Sequence, residues 1–134
     1  MGEEPPKPAA QPVDEGRDPL DRNILTSLRE LQAENEADFL TELIDLFLED
    51  SAILIAEMRE AIAKEDAGAA RQAAHTLKGS SGSLGAMKLS KLCLEAEMSA
   101  RSGRLAELAG LFPALEAEYI LAREYLLRER VSEA

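Results

Sequence analysis

An all-α fold, an antiparallel four-helix bundle with a short additional N-terminal helix, is predicted by three features of this 134-residue sequence. Apolar residues recur three and four apart through successive stretches, which is the period of one helix face and not of a strand. Aromatic residues make up 4% of the chain and Trp is absent, while Leu and Ala dominate, as closely packed helices require. The stretches are separated by short breaks at Asp66, Gly85 and Gly103. Short connections make consecutive helices antiparallel.

The elements follow in order. Residues 1–18 hold four of the six prolines, with a fifth at Pro19, and show no apolar periodicity. They read as a disordered tail or interdomain linker ahead of a bundle spanning 19–134. A first short helix, Asp21–Gln32, carries Ile24, Leu25, Leu28 and Leu31, with Asp21 as its N-cap. It is expected to close one end of the bundle.

The stretch Glu36–Lys64 places Leu40, Leu43, Ile44, Phe47, Ser51, Leu54, Met58, Ala61 and Ile62 on one stripe. A single helix of about 40 Å follows from the 1.5 Å rise per residue. Leu46 and Ile53 fall off that stripe and are expected to lie under the first helix, the alternative being that they help form a patch for a partner. Asp66 is the expected N-cap of a third helix, Ala67–Leu84, which Gly85 ends by taking a positive φ.

A fourth helix, Met87–Ser102, packs through Leu89, Leu92, Cys93, Ala96 and Ala100, leaving Leu94 and Met98 on its other side as a pointer to a contact surface. Cys93 reads as a buried core thiol. In the last helix Leu105, Leu108, Phe112, Leu115, Tyr119, Ala122 and Leu126 alternate by three and four. Pro113 should kink that helix or mark the start of its main part.

Composition removes several classes of function. With 26 acidic and 15 basic residues the formal net charge is −11, which argues against nucleic acid or an anionic membrane surface as partner. No stretch approaches the roughly 18 to 20 apolar residues of a membrane span, so a cytoplasmic monomer is expected. One cysteine and one histidine provide neither an internal disulfide nor a metal cluster, so no metal ligands are assigned.

That histidine is His75, in the third helix. Residues three, four and seven apart share a helix face, so His75, Lys78, Gly79 and Gly82 line up, while Ala70, Ala73, Ala74, Leu77, Ser81 and Leu84 fall on the other side. Each glycine inside a helix costs about 1 kcal/mol relative to alanine. Stability does not explain them, whereas the approach of something large to His75 does. No Asp or Glu occurs from Ala67 to Leu94, a window that keeps Arg71, Lys78, Lys88 and Lys91. A local positive field in an acidic chain suits a group that carries or meets negative charge.

The run His75-Thr76-Leu77-Lys78-Gly79-Ser80-Ser81, followed by Gly85, resembles the signature of histidine-containing phosphotransfer (HPt) domains, and the resemblance extends from about Asp21 to Arg130. It implies a phosphorelay module in which His75 accepts a phosphoryl group on a ring nitrogen and exchanges it with an aspartate of a response-regulator receiver domain. A hybrid histidine kinase is the implied partner upstream. Mg²⁺ is expected from the receiver, and no cofactor is expected on this chain.

Phosphoryl transfer depends mainly on positioning and on cancelling negative charge. Lys78 is accordingly assigned to phosphoryl stabilisation and Gly79 to steric access, with Arg71, Gln72, Gly82 and Lys88 on the face that meets the partner. A carboxylate beside His75 would repel the incoming oxygens, so the face is expected to be free of acids; Glu97 on the fourth helix would orient the imidazole if it faces His75, but that depends on how two helices are placed, and it is left out of the site. Ser80 and Ser81 are assigned to helix packing. No Gly-rich nucleotide loop is present, which favours a carrier without kinase activity. The alternatives are a non-phosphorylated adaptor bundle and the phospho-accepting fragment of a larger histidine kinase.

Overall fold

A computed structural model of the chain describes residues 18–34 and 39–130. Five helices follow one another: α1 (Arg22–Glu34), α2 (Phe39–Ala63), α3 (Ala67–Ser83), α4 (Met87–Arg101) and α5 (Leu105–Glu129). Apart from Asp18, the expected tail or linker lies outside the described residues.

Helices α2 to α5 form the bundle, and side-chain pairs fix their directions. Asp45 meets Arg130 at 2.7 Å while Arg59 meets Glu116, so α2 and α5 run antiparallel. Between these pairs the Ser51 hydroxyl donates to Tyr119 Oη at 3.1 Å inside the core. On α3 and α4, Ser90 Oγ donates to the Lys78 carbonyl at 2.9 Å, and His75 lies against Glu97, which makes this pair antiparallel too.

The inward side of α3 is Ala70, Ala73, Ala74, Leu77 and Ser81. Small residues allow α2 and α4 to approach it closely, with Ile44, Met58, Leu89, Cys93 and Leu115 completing the buried centre. Asp66 caps α3 as expected, its carboxylate accepting from the Ala69 N–H at 3.0 Å. Asp21 does the same for α1, accepting from the Asn23 N–H at 2.9 Å.

Gly85 ends the α3 segment with φ +84°, and its carbonyl accepts the Asp21 N–H at 2.7 Å. Arg22 and Arg29 then reach Glu129 at the far end of α5. These bonds hold α1 over the end of the bundle, with Leu20 and Leu25 buried beneath it.

That placement corrects one expectation. Leu46 and Ile53 do not lie under α1, and each is 55% exposed. On α2 the buried set also includes Ile55, whereas Leu43, Leu54 and Ile62 are only partly covered. Pro113 sits inside α5, which runs from Leu105 to Glu129. Among the described residues no helix is long and apolar enough to cross a membrane.

Candidate functional site

His75 lies at the middle of α3, on its outward face, and its side chain is 58% exposed. The ring is nevertheless held in place. Its Nδ1 is 2.9 Å from Glu97 Oε2, and Glu97 projects from α4 with only 4% of its side chain exposed. The other carboxylate oxygen, Oε1, lies 2.8 Å from Lys78 Nζ, and Arg101 approaches Oε2 at 3.3 Å.

Glu97 therefore belongs to the site, which corrects both its omission and the expectation of a face without carboxylates. The acid-free window ends at Leu94 on the chain, but the next helix folds back along α3. His75 and Glu97 stand eleven residues before and after Ala86, so an antiparallel hairpin centred there brings them level. Gly82 lies where the two helices meet, the position of a Cβ there being 3.4 Å from Ser90 Oγ.

The electrostatics keep this carboxylate charged. The Lys78 ammonium bonded to Glu97 holds its carboxyl below the usual carboxylate range; burial acts in the opposite direction, and His75 adds to the lowering. An ionised carboxylate only accepts hydrogen bonds, so Nδ1 carries a proton toward Glu97, and in the neutral ring the lone pair is then on Nε2. The arrangement supplies an exposed, oriented nitrogen nucleophile with cations one turn away.

The remaining sequence-selected residues sort as follows. A Cβ added at Gly79 would meet nothing within 4 Å, so the surface beside His75 is open there. Gln72 and Lys88 are exposed and Arg71 is half-buried. Lys78 is bound to Glu97 rather than extended into solvent. Ser81 is buried and donates to the Leu77 carbonyl, while Ser80 donates to the Thr76 and Leu77 carbonyls at 3.3 Å each, which fits a packing role for both.

Cys93 is fully buried, and burial pushes its thiol up to about 12 despite the field of Lys78, so it is chemically inert core. Among the described residues no group of three or more His, Cys, Asp or Glu side chains could hold a metal ion.

Comparison with known proteins gives a consistent picture. Residues 42–125 match the Hpt domain family. Histidine-containing phosphotransfer protein 2 of Arabidopsis thaliana is 38% identical over 72 residues, which cover 52% of this chain and 46% of that protein. Protein 5 of the same plant is 36% identical over 75 residues, covering 54% and 48%. The chain thus spans about half the length of the curated relatives it matches.

Among solved structures, histidine-containing phosphotransfer protein B of Pseudomonas aeruginosa PAO1 superposes with a TM-score of 0.74 at 35% identity, covering 83% of this chain and 93% of that one. A histidine-containing phosphotransfer protein of Medicago truncatula gives 0.73 at 26% identity, covering 85% and 80%. By the match over most of its bundle and by this structural likeness, the chain belongs to the Hpt domain family, the histidine-containing phosphotransfer proteins.

Proposed function

We propose that this chain is a phosphoryl carrier in a two-component phosphorelay, with His75 as the accepting residue and receiver-domain aspartates as donor and acceptor. The observation that carries this is the His75–Glu97 pair: an exposed ring whose Nδ1 is engaged at 2.9 Å by a buried carboxylate, next to the bare surface at Gly79. In transfer, the Nε2 lone pair attacks phosphorus as the bond from phosphorus to the aspartyl oxygen breaks, and the aspartate leaves as a carboxylate. The N–P bond makes the ring cationic. Glu97, already hydrogen-bonded to Nδ1–H, offsets that charge without any proton having to leave.

Lys78 contributes by exchange of partners. Its ammonium sits on Glu97 before transfer and is one helical turn from the oxygens that arrive on Nε2, which it can reach as a point charge. Gly79 leaves room for the receiver's loops. Mg²⁺ is assigned to the receiver, whose carboxylates hold it, and intrinsic kinase activity is not assigned to this chain. A cytoplasmic monomer working between a hybrid histidine kinase and a response regulator fits the acidic surface and the absence of a membrane-spanning helix among the described residues.

The test is incubation with receiver domains phosphorylated from labelled acetyl phosphate in the presence of Mg²⁺. Acid-labile label is expected on the wild-type chain and none on His75→Gln, with identical helical content. Equal labelling of the two proteins would refute the assignment of His75.

A further inference from the structure

Glu97 is a long side chain, and its hold on His75 depends on where α4 stands. Its carboxylate has three partners, which tolerate movement of α4 to different degrees. Arg101 is on α4 itself, one turn beyond Glu97, and travels with it. Lys78 is on α3 but makes its 2.8 Å contact at the end of a flexible four-carbon stem, so it can follow. The imidazole, on a much shorter stem, is the partner left behind. Side chains extend about 5–6 Å from a helix axis, so a roll of α4 by about 20° carries the carboxylate about 2 Å. That is enough to part the 2.9 Å contact with Nδ1.

Packing between α3 and α4 resists such a roll weakly. The buried residues at this level are small, Ala70, Ala73 and Ala74 on α3 and Ala96 and Ala100 on α4, and apolar contact is non-directional. A directional contact is made two turns from Glu97, where Ser90 Oγ donates to the Lys78 carbonyl at 2.9 Å. The hydroxyl lies against bare backbone, 3.4 Å from where a Cβ of Gly82 would stand. A carbonyl oxygen has two lone pairs, so that of Lys78 can serve its own helix and Ser90 together. Ser90 and Glu97 are seven residues apart, on one face of α4 and about 10 Å apart along it.

We propose that Ser90 is a positioning residue of the phosphotransfer site: its bond to the Lys78 carbonyl fixes the roll of α4, and through it the reach of Glu97 to His75 Nδ1. The proposal deepens the phosphocarrier reading and rests on it for its kinetic consequence, while its geometry stands apart from that reading. Helix α4 grips Lys78 twice, Ser90 at the carbonyl and Glu97 at the ammonium, and both grips fall on the turn that follows His75. A roll that frees the carbonyl withdraws Glu97 from the ring. Ser90 thus acts through Glu97 and has no contact with the transferred group.

The experiment uses the full chain labelled with nitrogen-15 at histidine, of which it has one. At mildly alkaline pH, where an imidazole is neutral, the shifts of the two ring nitrogens report which of them carries the proton. Ser90→Ala is expected to move both shifts from the Nδ1–H pattern toward the average of the two tautomers. It should also slow labelling of His75 by about three- to tenfold, the effect of a small misplacement at a reacting group. The loss is expected with a phosphorylated receiver and with phosphoramidate alike. Phosphoramidate needs no docking: the Nε2 lone pair takes the phosphoryl group as the reagent's P–N bond breaks and ammonia leaves.

In a Glu97→Ala background, Ser90→Ala should slow labelling by less than about twofold further, since the side chain through which it acts is gone. Ser51→Ala removes another buried hydroxyl bond, the one to Tyr119 between α2 and α5, and should leave the ring shifts as in wild type and the rates within about twofold. Unchanged shifts and rates in Ser90→Ala, the same changes in Ser51→Ala, or additive losses in the double variant would each overturn the proposal. The phosphocarrier reading is scored separately. If wild type takes label from neither donor, that reading fails while the ring shifts still decide the role of Ser90. If wild type takes label and Ser90→Ala matches it in both readouts, the role of Ser90 is removed and the function stands.

Discussion

Glu97 Oε2 lies 2.9 Å from His75 Nδ1, and the carboxylate that contains it is 96% withdrawn from water, with 4% of the side chain exposed. A buried acceptor of this kind sets which ring nitrogen carries the proton. Removing it allows the proton to move to Nε2 and the ring to turn, and both changes remove the nucleophile from its path. Glu97→Ala is expected to slow phosphoryl transfer by about 10- to 100-fold, the usual penalty for losing a partner that orients a reactive histidine. Glu97→Gln keeps a carbonyl oxygen to accept from Nδ1–H and should stay within about tenfold of wild type. Rates of label transfer from a phosphorylated receiver, measured across pH for all three proteins, decide the matter. Equal rates for Ala and Gln would show that the carboxylate orients nothing.

The Lys78–Glu97 pair ties stability to pH. Because Lys78, with help from His75, holds the folded carboxyl below its ordinary value of 4.5, the unfolded chain binds more protons than the folded one between the two values. Stability from this group is therefore complete above about pH 4.5 and is lost as pH falls through the lower folded value. Urea unfolding of wild type and Glu97→Gln should show a wild-type advantage at neutral pH that shrinks below pH 4.5. Lys78→Ala should cost more stability than Glu97→Ala, about 1–3 kcal/mol, because it leaves a buried carboxylate short of a cation, whereas Lys78, 30% exposed, can turn to water once Glu97 is gone. A double-mutant cycle measures the coupling between them.

Gly79 should separate folding from function. Open space surrounds the Cβ position, so Gly79→Gln meets no steric cost inside the chain and gains up to about 1 kcal/mol from helix propensity. The same side chain would stand one turn from His75, where the receiver must approach. Thermal unfolding should shift upward by a few degrees while transfer falls at least tenfold. A variant that is more stable and equally active would show that the receiver approaches from another side.

Helix positions were legible in the sequence because each apolar stripe has the period of the element that carries it. Where a long stripe misled, on α2, it did so by one position, Ile55 being buried and Leu54 only partly covered. That α1 closes one end of the bundle was legible; the register of that closure, which leaves Leu46 and Ile53 uncovered, was not. It is fixed by a backbone bond from Asp21 to Gly85, and side-chain periodicity carries no trace of that. Glu97 was hidden differently, since its approach to His75 depends on the register between two helices. Equal spacing about the Gly85-Ala86 turn was the available signal, and it requires treating the hairpin, rather than either helix alone, as the unit of sequence.

Gly85 holds that hairpin and α1 together, which makes it the position where a single methyl group should do most damage. Its φ of +84° is one that L side chains rarely adopt, and an added Cβ would lie 3.1 Å from the Asp21 carbonyl oxygen and 3.3 Å from its nitrogen. Neither backbone atom can withdraw without breaking the 2.7 Å bond from Asp21 N–H to Gly85 O. Gly85→Ala is therefore expected to cost about 1–3 kcal/mol, from the strained backbone and the forced separation of α1. Hydrogen exchange gives the more specific readout, with amides of α1 losing protection while those of α3 around His75, held by the buried alanines and by Glu97, keep theirs. Uniform loss of protection across the bundle would mean instead that α1 is part of one cooperative unit with the site.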